Sequence, residues 1–302
     1  MESRIIDLSE EPASLSVRYE QLVIKHGDRE DSVPLEEIAA LIVAHPAVCF
    51  TQAVLNGLID NGGIFIICNE RRLPSGMLLP LEAHSAQTER IRAQINASVP
   101  LQKQLWAQLV AAKLKAQAKL LTDISGGDWG LKHLSKMVRS GDPYNIEAQA
   151  SRRYWQALFG DTFRRIPGAE DNVNSLLNYG YAILRGIIAR AICGTGLHPS
   201  LGIHHHNKYN PFCLADDLME PFRPLVDAAV FDIVGERGED APLDKVSKAA
   251  LIEKVALRRF ELKGEIRTIF DIASRLTASL ASIYLGKGRH LQLPEIERAE
   301  AK

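Results

Sequence analysis

The chain has 302 residues, 46% hydrophobic and 24% charged, and its 36 Lys and Arg nearly balance 37 Asp and Glu, for a net charge of −1. Such a chain is a globular one long enough for two cores, and its near-zero charge argues against a simple nucleic-acid-coating protein. No apolar run approaches the roughly 20 residues that span a bilayer, and Met1-Glu2-Ser3-Arg4-Ile5 has none of the regions of a signal peptide, so a cytoplasmic location with no membrane association is expected.

The charge is unevenly spread. Residues 1–95 hold 8 basic against 14 acidic side chains, residues 96–302 hold 28 against 23, and the excess is concentrated in residues 100–165, with 11 against 5. Lys113, Lys115, Lys119, Lys132, Lys136, Arg139, Arg152, Arg153, Arg164 and Arg165 make up most of it. This is either a surface that meets phosphates or a solvated helical face. Cys49, Cys68, Cys193 and Cys213 are widely spaced, mostly in apolar runs, and read as reduced, buried thiols.

In chain order, strand signals come first. Ser14-Leu15-Ser16-Val17-Arg18-Tyr19 alternates, while Leu22-Val23-Ile24, Ala47-Val48-Cys49-Phe50 and Ile64-Phe65-Ile66-Ile67-Cys68 are short apolar runs. Thr51 can cap a short helix over 52–60 that stops at Asn61-Gly62-Gly63. From about residue 83 the texture becomes helical, with Leu101, Leu105, Leu109 and Ala112 at helical spacing, and helices recur to about residue 285. The expected fold is α+β: a small, mainly β N-terminal domain over 1–95, a larger all-helical domain over 96–290, and a charged, frayed tail over 291–302.

The next helix starts near Asn145, after the turn-rich Gly141-Asp142-Pro143-Tyr144. It gathers Ala148, Tyr154, Trp155, Leu158 and Phe159 on one face, with Glu147 at the edge. A carboxylate on the buried side pairs with a cation, is protonated, or binds a metal. A second helix over 173–193 is apolar nearly all round, yet Asn174, Asn178, Tyr181 and Arg185 share a narrow stripe. They either satisfy neighbouring polar groups or line a groove where Arg185 meets a phosphate or an acidic site.

A loop then carries His204-His205-His206, of which one or two can face a common point. The helix over 211–233 puts Leu214, Leu218, Phe222, Leu225, Ala229 and Ile233 on its core face and leaves Asp216, Asp217, Glu220 and Arg223 opposite, where water is expected. Pro221 and Pro224 should bend this helix and can turn Glu220 toward a neighbour. A Glu from one helix, a His from a loop and a Glu from another helix make a mixed N/O site suited to Mg²⁺ or Mn²⁺, the setting for metal-assisted phosphodiester chemistry.

Four ordered motifs carry a resemblance: Asp142-Pro143-Tyr144-Asn145-Ile146-Glu147-Ala148-Gln149-Ala150-Ser151-Arg152-Arg153-Tyr154-Trp155, Asn174-Ser175-Leu176-Leu177-Asn178-Tyr179-Gly180-Tyr181, Gly202-Ile203-His204-His205, and the stretch from Leu214 to Pro224. With Leu73-Pro74-Ser75-Gly76 near the end of the β segment, nearly the whole chain resembles the CRISPR adaptation integrase, the first protein of the CRISPR-associated set, in its type II flavour. The resemblance implies a homodimeric, metal-dependent DNA integrase and endonuclease, dimerising through the β domain, with metal ligands at Glu147, His205 and Glu220. It further implies supporting roles for Asn174, Asn178, Asp217 and Arg223. DNA contacts are expected from the basic stretch (Lys132, Lys136, Arg139, Arg152, Arg164, Arg165), together with Arg185. Two departures stand out: Ala148 replaces a common Gly, and the Gly-x-x-His spacing selects His205 while His204 and His206 lie beside it.

The implied reaction joins the 3′-hydroxyl of a captured DNA fragment to a phosphodiester at the edge of a CRISPR repeat by transesterification. The implied partners are double-stranded DNA, a second copy, the small second Cas protein and other type II Cas proteins. Two other readings use the same sequence: a metal-dependent nuclease hydrolysing branched or single-stranded DNA, and a DNA-binding assembly scaffold with no catalysis.

Overall fold

Two strands that are apolar on both sides organise the first half of the chain. In the computed structural model, which describes residues 4–70, 74–80, 84–169, 171–262 and 265–294, β1 (Arg4–Leu8), β5 (Ile38–Val43) and β7 (Ile64–Cys68) run parallel, with β8 (Pro74–Leu78) antiparallel at the edge. A second sheet is ordered β4-β3-β2-β6, built from β2 (Ser14–Arg18), β3 (Gln21–His26), β4 (Arg29–Pro34) and β6 (Cys49–Phe50). Leu41, Val43 and Phe65 pack with Leu15, Leu22 and Ile24 of the second sheet and with Val54 and Leu58 of α1 (Gln52–Asp60). Ala40, Ile42, Ile64 and Ile66, on the opposite face, join the core of the helical half. Burial on both faces is why β5 and β7 read as continuous apolar runs rather than alternations.

The helical half begins with α2 (Gln87–Ile95), whose Gln94 Nε2 donates to the carbonyls of His198 (3.0 Å) and Leu201 (2.8 Å). It continues through α3 (Val99–Ser125), α4 (Leu131–Met137), α5 (Ile146–Phe159) and the central α6 (Asn172–Gly194). Then come α7 (Cys213–Met219), a 3₁₀ turn over Glu220–Phe222, α8 (Arg223–Arg237) and α9 (Lys245–Ile252), and finally α10 (Ile269–Tyr284). Ser98 accepts a hydrogen bond from the Leu101 amide and Gly126 ends α3 at φ 77°, so its 27 residues have a start and a stop signal. Among the described residues no helix is long and apolar enough to cross a membrane.

The expected α+β class is borne out: a strand-rich N-terminal part precedes a mainly helical one. Several details differ from the sequence reading. A hairpin of β9 (Arg259–Leu262) and β10 (Glu265–Thr268) interrupts the helical half. β1, β4, β5 and β8 were not among the expected strands. β4 and β8 are edge strands, which tolerate the polar Arg29-Glu30-Asp31-Ser32 and a proline. Thr51 sits at the start of α1 without a side-chain cap. The described part of the tail is docked, not frayed: Leu291 is buried, its amide bonds Gln108 Oε1 at 2.9 Å, and the Gln292 amide bonds Ser279 Oγ at 2.9 Å. Residues 295–302, and Leu73 of the β-segment motif, lie outside the described residues.

Candidate active site

α3 is the spine of the site. Its buried face presents Trp106 and, two turns further on, Lys113, so each meets a different functional segment. Trp106 stacks on His204, with ring centroids 4.2 Å apart and planes 5° from parallel, and meets His205 edge-on at 5.8 Å. Lys113 Nζ lies 2.7 Å from Glu147 Oε1 and 2.5 Å from Glu220 Oε2. Sequence reading had placed Lys113 with the surface cations; it is 9% exposed.

Glu147 is set by the turn before α5. Asp142, in the left-handed region at φ 47°, accepts hydrogen bonds from the amides of Ile146 (2.9 Å) and Glu147 (3.0 Å) and so caps the helix. Asn145 also has positive φ (50°), a conformation that Asn and Asp tolerate better than branched residues. Glu147 therefore stands in the first helical turn, where the helix dipole favours an anion.

The predicted bend is present. α7 ends at Met219, and the 3₁₀ turn redirects the chain into α8. Leu214, Leu218, Phe222, Leu225, Ala229 and Ile233 are all buried as expected. The acids opposite them are buried too, which overturns the expectation of solvent: Asp216 is 7% exposed, Asp217 0% and Glu220 3%. The reason is tertiary. α3 and the histidine loop cover this face, and each acid has a counter-group. Asp216 accepts from Arg185 Nε (2.7 Å) and Asn210 Nδ2 (2.6 Å). Glu220 Oε1 lies 2.9 Å from Arg223 Nε. Burial by itself pushes the Glu220 carboxyl up, but Arg223 and Lys113 outweigh it and hold it below its ordinary range. Lys113 is likewise raised above an ordinary lysine: Glu220 and Glu147 overcome the downward pull of burial.

Asp217 organises the histidine loop. It accepts from the amides of Ile203 (2.6 Å), His204 (2.9 Å) and His205 (3.3 Å), and His205 Nδ1 lies 2.6 Å from its Oδ1. Gly202 is required by close approach, since a Cβ there would lie 2.2 Å from the His205 carbonyl oxygen. The Asp217 hydrogen bond raises His205 above the ordinary histidine value. An imidazole that donates from Nδ1 to a carboxylate presents Nε2 as its lone-pair nitrogen, the arrangement of metal-ligating histidines. The histidine triplet is thereby sorted by contact: His204 is stacked on Trp106, His205 is oriented by Asp217, and exposed His206 lines a surface hollow with Asn207, Lys208 and Asn210.

The stripe on α6 divides. Asn174 accepts from Arg165 (2.8 Å) and the Ile166 amide (3.0 Å), Asn178 accepts from Arg165 (2.7 Å), and together they tie down the segment after α5. Tyr181 and Tyr154 both donate to buried Asp227. The guanidinium of Arg223 lies over the Tyr181 ring at 4.8 Å and that of Arg165 at 5.3 Å, which links Asn174 and Asn178 to Glu220 through stacked cations. Of the expected DNA contacts, Lys132, Lys136, Arg139, Arg152 and Arg164 are exposed, whereas Arg165 and Arg185 are engaged by Asn174, Asn178 and Asp216. The Tyr154–Asp227–Tyr181 cluster was not read from sequence; a tyrosine in a stripe with no assigned acceptor was its only signal.

Asp227 makes one pH dependence explicit. Burial pushes its carboxyl up to about 6, against the two tyrosine hydroxyls that favour the charged form. An unfolded Asp titrates near ~3.9, so from about pH 4 to about 6 the folded chain holds the extra proton and stability falls as pH rises, by about 3 kcal/mol in all. Urea unfolding at stepped pH should show this decline in the wild type and not in Asp227→Asn; a constant difference between the two would contradict it.

Among the described residues, no three His, Cys, Asp or Glu side chains stand at metal-ligating distances as they are, and Lys113 lies against both Glu147 and Glu220. The donors nevertheless fit a hard divalent cation. Two carboxylates already address one cationic centre, Glu147 through Oε1 and Glu220 through Oε2, and His205 is presented by a carboxylate.

Fold and site together define a protein with a strand-rich N-terminal part and a helical half in which Glu147 and Glu220 meet at Lys113 and Asp217 holds His205. The chain belongs to the Cas1 family: the family model "CRISPR associated protein Cas1" matches residues 7–260. It is 37% identical over 287 residues to the CRISPR-associated endonuclease Cas1 of Neisseria meningitidis serogroup C (strain 8013), covering 93% of each chain. It is 26% identical to one from Francisella tularensis subsp. novicida (strain U112), covering 96% of this chain and 91% of the relative. The fold matches a casposase bound to its integration product with TM-score 0.79 and 22% identity, over 99% of this chain and 96% of that one. It matches a Cas1 protein from Thermotoga maritima with TM-score 0.77 and 17% identity, over 97% and 100%.

Proposed function

We propose that this chain is a divalent-metal-dependent DNA integrase and endonuclease of CRISPR adaptation, of type II, acting in the cytoplasm. The observation that carries the reading is the convergence of Glu147 and Glu220 on one cation beside a histidine oriented by Asp217, in a chain of this family. Glu147, His205 and Glu220 would hold Mg²⁺ or Mn²⁺, which when bound activates a hydroxyl or water nucleophile and neutralises charge on phosphate oxygens.

The chain's own groups do the positioning. Asp142 fixes Glu147, Asp217 fixes His205, Arg223 fixes Glu220, and exposed Lys132, Lys136, Arg139, Arg152 and Arg164 offer phosphates a basic surface. In the reaction the 3′-hydroxyl of a captured fragment attacks a phosphodiester at the repeat edge in line. A new P–O bond forms, the bond to the repeat's 3′-oxygen breaks, and the attacking hydroxyl's proton is matched by one gained by the leaving oxygen. Joining both fragment ends needs two such sites at fixed separation, so the working assembly is a homodimer, joined through the β domain, with the second Cas protein as spacer and with other type II Cas proteins as further partners. A relative in the same fold is known in a Cas6-RT-Cas1–Cas2 complex.

The test is incubation with fragment DNA and a supercoiled repeat-containing plasmid in Mg²⁺ or Mn²⁺, with and without the second Cas protein. Joined products are expected, lost with chelator and in His205→Ala and retained in His204→Ala. Cleavage without joining would favour the hydrolytic nuclease, and neither product would favour a scaffold. A His204→Ala loss with His205→Ala intact would move the ligand to His204.

A further inference from the structure

Lys113 has no counterpart in the donor chemistry above, yet it stands at the centre of it. It lies within the buried face of α3 among Leu109, Val110, Leu114 and Gln117, where an apolar side chain would continue the packing. A buried ion cluster is weak grounds for stability, because well-packed apolar replacements are often neutral or better. Lys113 touches both carboxylates at once, Glu147 Oε1 at 2.7 Å and Glu220 Oε2 at 2.5 Å. A divalent ion held by the same two residues cannot share that space with an ammonium.

The side chain is suited to leaving. It is a point charge on a four-carbon stem with no forked hydrogen-bond geometry to dismantle. Glu147, with its side chain 26% exposed, opens the cluster to solvent. Arg223 stays on Glu220 Oε1, so Glu220 keeps one partner when Lys113 departs.

We infer that Lys113 is a tethered counter-cation that holds Glu147 and Glu220 together in the metal-free protein and competes with the divalent metal for them. Metal binding therefore swings Lys113 out of the cluster, and its charge sets the metal concentration at which the site fills. This rests on the reading of Glu147 and Glu220 as ligands.

The experiment is Mn²⁺ titration by calorimetry of metal-stripped wild type, Lys113→Met, Lys113→Gln and Lys113→Arg. Removing the competing charge should tighten Mn²⁺ binding at least about tenfold in the Met and Gln variants, and Arg should bind no more tightly than wild type. The Mn²⁺-induced rise in Tm should be larger in Lys113→Met than in wild type. On the wild type alone, amine labelling read by mass spectrometry should find Lys113 protected without metal and labelled when Mn²⁺ saturates, with exposed Lys115 constant as control. This second measurement decides the matter if the neutral variants do not fold. If wild type binds Mn²⁺ and the folded neutral variants bind it equally or more weakly, or if Mn²⁺ leaves Lys113 protected, the competition is refuted while the ligand reading stands. If neither the wild type nor any variant binds Mn²⁺, the ligand reading fails and this inference with it.

Discussion

Glu220→Ala is expected to destabilise the metal-free protein by about 3–5 kcal/mol and to abolish DNA joining. The stability loss follows from what is left behind: Lys113 and Arg223 are both in contact with Glu220, whose side chain is only 4% exposed. Removing one partner of a buried ion cluster strands uncompensated charge, which is far costlier than the cluster's net worth. Glu147→Ala is the contrast. Its side chain is 26% exposed, and Lys113 keeps Glu220 after the change, so a loss of only about 1 kcal/mol is expected. Each variant removes a proposed metal ligand and several kcal/mol of charge stabilisation, more than about 10²-fold in joining rate. Urea unfolding of the metal-free proteins beside the plasmid joining assay separates the two effects. Equal stability of the two variants would mean that Glu220 does not hold the cations in place.

Asp217→Asn is expected to melt the histidine loop while leaving side-chain volume unchanged. Both carboxylate oxygens are acceptors for two donors each: Oδ2 for the Ile203 and His204 amides, Oδ1 for the His205 amide and His205 Nδ1. An asparagine supplies one acceptor oxygen, and in either orientation its NH₂ faces two of those donors. With the site 0% exposed, no water takes over, and about 3 kcal/mol of stability is lost. Losing the orienting carboxylate should weaken metal binding by a further ~10–100-fold. Thermal melts and Mn²⁺ calorimetry read both; an Asn variant with wild-type metal affinity would show that His205 needs no orientation from Asp217.

Much of this site was legible as residue type and spacing. Glu147 stood out as an acid at the edge of an apolar helix face, Glu220 as an acid just ahead of Pro221 and Pro224, which bend the helix, and His205 only through the Gly-x-x-His spacing of the family it resembles. Periodicity also identified the apolar face of α7 and α8 residue by residue. It failed on the other face, because a helical wheel registers one apolar stripe and takes the remainder to be solvent. It cannot register a second neighbour that arrives with matching charge. Asp216 and Asp217 are buried because Arg185, Asn210 and the amides of 203–205 meet them there. In α5 the stripe was also offset: the most buried residues are Ile146, Ala150, Tyr154 and Leu158, while Trp155 and Phe159 lie at its margin.

The α+β class, the succession of strand-rich and helical parts and the family are readable in the sequence, which also points to the three proposed donors. These are carried by local periodicity, turn chemistry and ordered motifs, which do not depend on what packs against what. Only the tertiary structure decided the partners. Lys113 looks like any solvated lysine of a basic helix until α5 and the 3₁₀ turn after α7 bring Glu147 and Glu220 to it from 34 residues away and farther. A charge in a sequence has no sign of its own burial, because burial of charge is set by a counter-charge that the chain supplies from another element.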